Sequence, residues 1–383
     1  MQTFPALFCL FAAATTITQA AESFKPHTIA TGLRGGYQVV ATDVNGDGRT
    51  DLIALASGMP DLVWFEAPNW EQRTLARNLP RMINLAAADV DGDRIPEILI
   101  AYEFANEAAK SVGIVALLTH AGDPRKPWKV REIDRLTTSH RLRVASLNGE
   151  TVFINAPLTG ANAKAPDYRD HVPLVLYRSG VWKRELIGAA DEGVVHGLWV
   201  GKWKKSDASD SILTASFQGI FRYSWVKGRW KRVRLTSGDP APWPKSGSSE
   251  VSPGERSGKD PWFASLEPWH GNQVVIYDRG KRNVIDTQLV DGHVLLTADM
   301  NGDGKSEVLA GYRGNGRSVY LYYRSGKNKW TRDIIDNGGI AAAGCAIADL
   351  NSDGRPDIAC IGSATANLKW YENLGRHPNA RGR

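Results

Sequence analysis

The chain has 383 residues, with 47 Lys and Arg against 41 Asp and Glu and a net charge of +6. The basic surplus is spread through short segments such as Trp182-Lys-Arg and Trp230-Lys-Arg-Val-Arg. It therefore reads as a solvated outer face, not as the concentrated basic stripe of a nucleic-acid binder. No stretch beyond the first twenty or so residues is apolar enough to span a bilayer, so no membrane span is expected.

Residues 1–21 carry an apolar run, Phe4 to Ala14, and end in the small residues of Thr18-Gln-Ala-Ala21, the pattern of an export signal, although its first residues include no Lys or Arg. Cleavage near Ala20 or Ala21 would leave a periplasmic or secreted protein. The segment 22–376 then reads as one repeat domain, and 377–383 as a disordered tail.

Four short stretches define the repeat: Asp43-Val-Asn-Gly-Asp-Gly-Arg-Thr-Asp51, Asp89-Val-Asp-Gly-Asp-Arg-Ile-Pro-Glu97, Asp299-Met-Asn-Gly-Asp-Gly-Lys-Ser-Glu307 and Asp349-Leu-Asn-Ser-Asp-Gly-Arg-Pro-Asp357. Each sets side-chain oxygens at positions 1, 3, 5 and 9 of a Gly-containing turn, as a hard cation such as Ca²⁺ requires. The candidate ligands are Asp43, Asn45, Asp47 and Asp51; Asp89, Asp91, Asp93 and Glu97; Asp299, Asn301, Asp303 and Glu307; and Asp349, Asn351, Asp353 and Asp357. An apolar run such as Leu52-Ile-Ala-Leu follows each turn and no helical pattern does, so these are turns between strands and not EF-hands. Calcium is expected in blades 1, 2, 6 and 7.

A second recurrent segment fixes the period. It has a Trp or basic start and a β-branched end, as in Trp70-Glu-Gln-Arg-Thr-Leu75, Trp128-Lys-Val-Arg-Glu-Ile133, Trp182-Lys-Arg-Glu-Leu-Ile187 and Trp330-Thr-Arg-Asp-Ile-Ile335. Six copies at a spacing of roughly 50 residues match four-stranded propeller blades. A seventh, Phe24-Lys-Pro-His-Thr-Ile29, stands alone before the first unit, while the last unit stops after its third strand, Leu368 to Asn373. The fold expected is an all-β, seven-bladed propeller whose N-terminal strand completes the C-terminal blade and removes an exposed edge. Three units lack the full Asp turn; their counterparts begin at Ser146, Lys202 and Ser252. Cys345 and Cys360 flank the last turn and face one another across a hairpin, either as a disulfide or as two small buried residues.

The repeat register aligns the histidines. His293 stands six residues before Asp299, His140 six before Ser146 and His196 six before Lys202, so three of eight histidines share one position. His270 falls in the loop between second and third strands of blade 5 and opens on the same face. Such a cluster can bind Zn²⁺ or another divalent metal, or move protons near neutral pH. His27, His120, His171 and His377 fall on outer or loop positions and carry no role. Other residues expected in the funnel are Tyr37, the blade 1 equivalent of His293, with Tyr102, Glu103, Arg141, Gln218, Tyr312, Arg313 and Asn315. Aromatics, carboxylates, Arg and Asn together suit a sugar; no Gly-rich phosphate loop is present for a nucleotide.

The Asp-rich units resemble the FG-GAP/VCBS repeats of integrin-α-like propellers. Glu267-Pro-Trp-His-Gly-Asn-Gln-Val-Val-Ile-Tyr277, Asp291-Gly-His293 and Ala364-Thr-Ala-Asn-Leu-Lys-Trp-Tyr-Glu-Asn373 are similar to the propeller domain of aldos-2-ulose dehydratase, without that enzyme's cupin domains. The resemblance implies metal-assisted β-elimination of water from a keto-sugar such as 1,5-anhydrofructose. A metal held by some of His140, His196, His270 and His293 would polarise the carbonyl, and a remaining His, Glu267 or Tyr312 would serve as base or acid.

A polysaccharide lyase would use similar parts, with Arg141 or Arg313 neutralising a uronate. A non-catalytic, calcium-dependent module for carbohydrate or protein is the third reading, and it expects imidazoles more than about 10 Å apart, too far for one ion. The protein is expected to act as a monomer.

Overall fold

The structure, a computed structural model, describes residues 23–255, 261–326 and 329–375. The expected signal segment 1–21, His377 and the tail 377–383 lie outside the described residues. Within them, seven four-stranded antiparallel sheets stand as blades around an axis. In blade 1 the strands are Gly36–Thr42, Asp51–Ala56, Leu62–Glu66 and Glu71–Ala76, running from the axis outward. The inner strands of the other six are Asn84–Ala88, Ser139–Leu147, Val195–Gly201, Glu250–Gly254, Gly292–Ala298 and Ala342–Ala348.

Closure follows the expected course. Phe24–Thr31 pairs antiparallel with Asn367–Asn373, from Phe24 opposite Asn373 to Thr31 opposite Asn367, and forms the outermost strand of blade 7. Backbone groups that would have stood unpaired at the rim are thus paired within one chain.

Second strands lie between two neighbouring blades and have no solvent face, so they read as continuous apolar runs instead of alternating ones. All six residues of Asp51–Ala56 are buried, as are all six of Asp357–Gly362. Between blades 1 and 2, Ile53, Leu55, Trp64 and Leu75 meet Leu85, Ile98, Ile100, Leu118 and Trp128 in one cluster. Hydrophobic burial between blades, at about 25 cal/mol per Å², holds the ring together.

One local device repeats at the axis. The pairing of inner with second strand slips by one residue at Tyr37, His140, His196, His293 and Ala343, leaving each as the extra residue of a β-bulge. A bulge re-aims its side chain, here toward the axis. Gly197 follows the bulge of blade 4 for a steric reason: a Cβ there would sit 2.7 Å from the Ser249 carbonyl oxygen of blade 5.

The register expected for blade 5 is corrected. Ser252, expected to open its turn, lies in mid-strand, and Ser249 and Glu250 occupy the axial end. With no Asp signature in this unit, nothing local marked the turn. In blade 3 the turn is a tight hairpin in which Leu147 pairs with Glu150, and Asn148 and Gly149 take the positive φ that such a two-residue loop requires. Cys345 and Cys360 are directly opposed and disulfide-bonded, with Cα atoms 4.1 Å apart.

Candidate metal centre at the axial funnel

Bulged residues from blades 3, 4 and 6 and the blade 5 loop bring four imidazoles into one cluster. Ring centroids are 5.2 Å apart for His140 and His196, 4.9 Å for His196 and His293, 4.8 Å for His196 and His270, and 5.3 Å for His270 and His293. The separation of more than about 10 Å expected for a non-catalytic module is not found. His140, His196 and His293 are 2%, 2% and 3% exposed, whereas the His270 side chain is 31% exposed and forms the open side. An axial channel of about 340 Å³ runs beneath, lined by Tyr37, Arg141, Arg143, Glu250 and His293 among others.

Three of the rings have Nδ1 held by an acceptor. His196 Nδ1 lies 2.9 Å from Glu250 Oε1 and 3.3 Å from the Ser249 carbonyl. His293 Nδ1 lies 2.5 Å from the Ala343 carbonyl, and His270 Nδ1 lies 3.1 Å from Asp291 Oδ1. Those acceptors place the proton on Nδ1 and leave a lone pair on Nε2. His196 Nε2 and His270 Nε2 then face each other at 3.2 Å, and His293 Nε2 is buried without a partner among the described residues. Two lone pairs at that distance repel unless a proton or cation lies between them. Ligand nitrogens of His196, His270 and His293 all lie within 4.8 Å of one another, within reach of one ion with bonds of about 2 Å. The donor set fits a borderline metal such as Zn²⁺.

Burial keeps His140, His196 and His293 neutral. Burial pushes the His196 imidazole down to about 3, with Arg141 adding to the effect. Burial, then Arg141, does the same for His140, and burial, then Arg313, for His293. Burial alone would raise Glu250, yet the Arg141 charge and the His196 hydrogen bond hold it below its ordinary value. Asp291 is likewise held down to about 2, because hydrogen bonds from His270 and Arg313 outweigh its burial. Both carboxylates are therefore anionic acceptors at neutral pH.

His140 stands apart from the triad in its bonding. The Tyr37 hydroxyl lies 2.7 Å from His140 Nε2, and His140 Nδ1 is buried without a partner. Burial raises the Tyr37 phenol despite the opposing pull of Arg141, so it stays protonated.

Arg141 donates to Glu250 at 2.7 Å and to the His196 carbonyl at 2.9 Å; Arg313 donates twice to Asp291, at 3.0 and 3.1 Å. Both belong to the scaffold of the site.

Several expected funnel residues are not brought to it. Glu267 is fully buried behind the cluster, accepting from Tyr277 and, through both Nε and Nη2, from Arg282. The Tyr312 hydroxyl donates to the Gly316 carbonyl and lies near Tyr320, inside the core of blades 5 and 6. Strand alternation turned both inward from the funnel. Tyr102 packs against the core between blades 1 and 2. Glu103 pairs with Arg81, Gln218 lies 3.4 Å from Glu192, and Asn315 is exposed at a loop tip. Glu250, Ser249 and Asp291 were missed: the first two because of the blade 5 register, the third although it stands two residues before His293.

At the opposite ends of the inner strands, the Asp turns have a uniform plan. The first Asp of each accepts loop N–H groups, as Asp43 does from Gly46, Asp47 and Gly48. The ninth residue is a buried brace: Asp51 accepts from Val44 and Ala67, and Asp357 from Leu350 and Asn373. Burial, then neighbouring Asp47 and Asp43, push Asp51 up to about 6, and Glu307 rises to about 7 in the same way. His120 lies 2.7 Å from Asp93 in the blade 2 turn, so it is tied to that turn and not idle.

Residues 112–280 match the family model described as the beta-propeller domain of aldos-2-ulose dehydratase, and residues 43–100 and 299–360 match that of the FG-GAP-like repeat. The first match contains His140, His196, Glu250 and His270. Among solved structures, a luciferin-regenerating enzyme aligns at 9% identity and a TM-score of 0.50, over 92% of this chain and 96% of its own, a likeness of fold. A nidogen/laminin complex aligns at 10% identity and a TM-score of 0.42, over 71% of this chain and 88% of its own. No curated protein sequence matches. The chain is a seven-bladed propeller with FG-GAP-like repeats at 43–100 and 299–360, and its residues 112–280 resemble the propeller domain of aldos-2-ulose dehydratase.

Proposed function

We propose that this chain is a metal-assisted carbon–oxygen lyase that removes water from a keto-sugar, an aldos-2-ulose or 1,5-anhydrofructose being the substrate type. The observation that carries the proposal is the set of His196, His270 and His293, each with Nδ1 tied to an acceptor and its Nε2 lone pair turned inward. The match of residues 112–280 to the aldos-2-ulose dehydratase propeller domain supports the substrate class.

A Zn²⁺ or similar ion held by His196, His270 and His293 would supply Lewis-acid polarisation of the substrate carbonyl. Proton movement falls to the adjacent pair. Neutral His140 takes the proton α to the carbonyl, and the Tyr37 phenol gives one to the departing β-hydroxyl, which leaves as water. The α proton is taken at His140 Nδ1, and Tyr37 then recovers a proton from His140 Nε2 across their 2.7 Å contact, so both groups return to neutrality with the imidazole proton shifted from Nε2 to Nδ1. Arg141, 5.6 Å from the Tyr37 ring centroid, stabilises the transient phenolate.

The four Asp turns are assigned to Ca²⁺, supported by their oxygen-only donors and by crowded carboxylates that a cation would relieve. The Cys345–Cys360 bond supports an oxidising compartment, periplasmic or extracellular. Among the described residues no helix is long and apolar enough to cross a membrane. The polysaccharide-lyase alternative loses support because Arg141 and Arg313 are already paired with Glu250 and Asp291.

The decisive experiment is metal analysis of the purified protein, followed by a screen of keto-sugars for new ultraviolet absorbance. Roughly one transition-metal ion per chain and an unsaturated product are expected. Absence of both would overturn the proposal.

A further inference from the structure

Beside the histidine cluster, on the same face, lies a second cavity of about 480 Å³ that the elimination chemistry does not use. Its walls are Pro166, Tyr168, Phe217, Pro244, Pro268 and Trp269, contributed by loops of blades 3, 4 and 5. The rings meet at steep angles: Tyr168 and Trp269 at 85° with centroids 5.9 Å apart, Tyr168 and Phe217 at 72° and 6.5 Å, and Phe217 and Trp269 at 55° and 5.5 Å. Trp243, under the Arg169 guanidinium at 4.2 Å, extends the aromatic group from Phe217.

This concentration of flat apolar surface is held open by rigid parts. Three prolines line it, and Trp243 is fixed by its indole N–H donating to the Asp167 carbonyl at 2.9 Å. Polar groups are few: the exposed Lys245, the Tyr168 hydroxyl, and the Trp269 Nε1–H, which is buried and has no partner among the described residues. A buried indole N–H ordinarily finds an acceptor, so a ligand acceptor at the ring edge would satisfy it. A pocket of this make-up selects a planar apolar group with one or two polar substituents more than a free sugar ring, whose hydroxyls would lose water without replacement.

The pocket adjoins the cluster through one residue. Trp269 is the wall of the cavity and also the direct neighbour of His270, with ring centroids 4.9 Å apart. A ligand seated against the indole therefore ends one ring's thickness from the open side of the triad. We propose that this cavity is a binding subsite for an aromatic aglycone, so that the substrate is an aryl glycoside of an aldos-2-ulose, with its keto-sugar at the histidines and its aryl group in the pocket. The reference to a sugar rests on the function proposed above; the aromatic specificity of the pocket does not.

The test uses the whole mature protein after treatment with a chelator, with 4-nitrophenyl β-D-glucopyranoside, free 4-nitrophenol and methyl β-D-glucopyranoside as probes, and binding read by calorimetry and tryptophan fluorescence. Both aryl probes are expected to bind at least about tenfold more tightly than the methyl glucoside and to quench fluorescence. Trp269→Leu is expected to lose about tenfold of that affinity. Tyr168→Ala, in a surface loop, provides the second reading should the first variant fold poorly. Equal affinity for the aryl and methyl probes, or aryl binding unchanged in both variants, overturns the subsite. Because the titration is made without metal, a protein that binds aryl probes but transforms no keto-sugar would keep the pocket and lose the lyase. One that transforms keto-sugars but ignores aryl probes would do the reverse.

Discussion

His196 Nε2 faces His270 Nε2 at 3.2 Å while the opposite nitrogen of each ring faces a carboxylate, Glu250 for His196 and Asp291 for His270. Those two acids fix the tautomers on which the centre depends: Glu250 and His196 lie on inner strands of neighbouring blades, and Asp291 and His270 in separate loops.

Glu250→Gln removes the charge at His196 Nδ1 and at Arg141 while preserving shape. Loss of such an outer partner costs about 10–100-fold in metal affinity. A competition titration of Zn²⁺ against a chromophoric chelator should show that fall, together with a lower melting temperature because Arg141 stays buried without its carboxylate; an unchanged dissociation constant would count against the assignment.

Glu267→Gln should behave oppositely. Its carboxylate is wholly buried and joins Tyr277 to Arg282, away from the triad. We expect a loss of about 1–3 kcal/mol in urea unfolding from a poorly satisfied buried network, with metal content unchanged.

The pH dependence of the chelated protein follows from the buried imidazoles. His140, His196 and His293 have folded values below the ordinary 6.5, so protonation favours the unfolded chain. Their contribution to stability is present above about 6.5 and is lost as pH falls toward the folded values. Asp51 and Glu307, raised to about 6 and about 7, act with the opposite sort of slope, favouring the fold as pH falls through the same window. The informative quantity is therefore the difference between wild type and His140→Gln. Wild type should lose more melting temperature between pH 7 and 4, and parallel curves would show that His140 does not titrate on unfolding.

Replacing Cys345 and Cys360 together by Ala removes a cross-link spanning 15 residues in blade 7. Chain entropy puts the cost at about 3 kcal/mol. Urea melts should show a lower midpoint, since the fold itself does not require the bond.

The period of the chain was legible because a turn is encoded by adjacent residues. Asp43 to Asp51 and its three counterparts report their own geometry, and a constant offset of six residues leads from Asp43 and Asp299 back to Tyr37 and His293, and from the degenerate turns at Ser146 and Lys202 back to His140 and His196. Where the local signature was missing, in blade 5, the register slipped, and Glu250 went unseen.

What the sequence by itself determined is the ring: seven units, their closure by Phe24–Thr31, and the face on which the bulged residues open. Only the tertiary structure decided the site's membership. Glu250 meets Arg141 across 109 residues and His196 meets His270 across 74, contacts set by the packing of separate blades. Glu267 and Tyr312 were excluded by which way a strand or loop turns each side chain, an alternation that a one-residue shift inverts. Local turn chemistry is written in neighbouring residues, whereas convergence at an axis is a property of the closed ring.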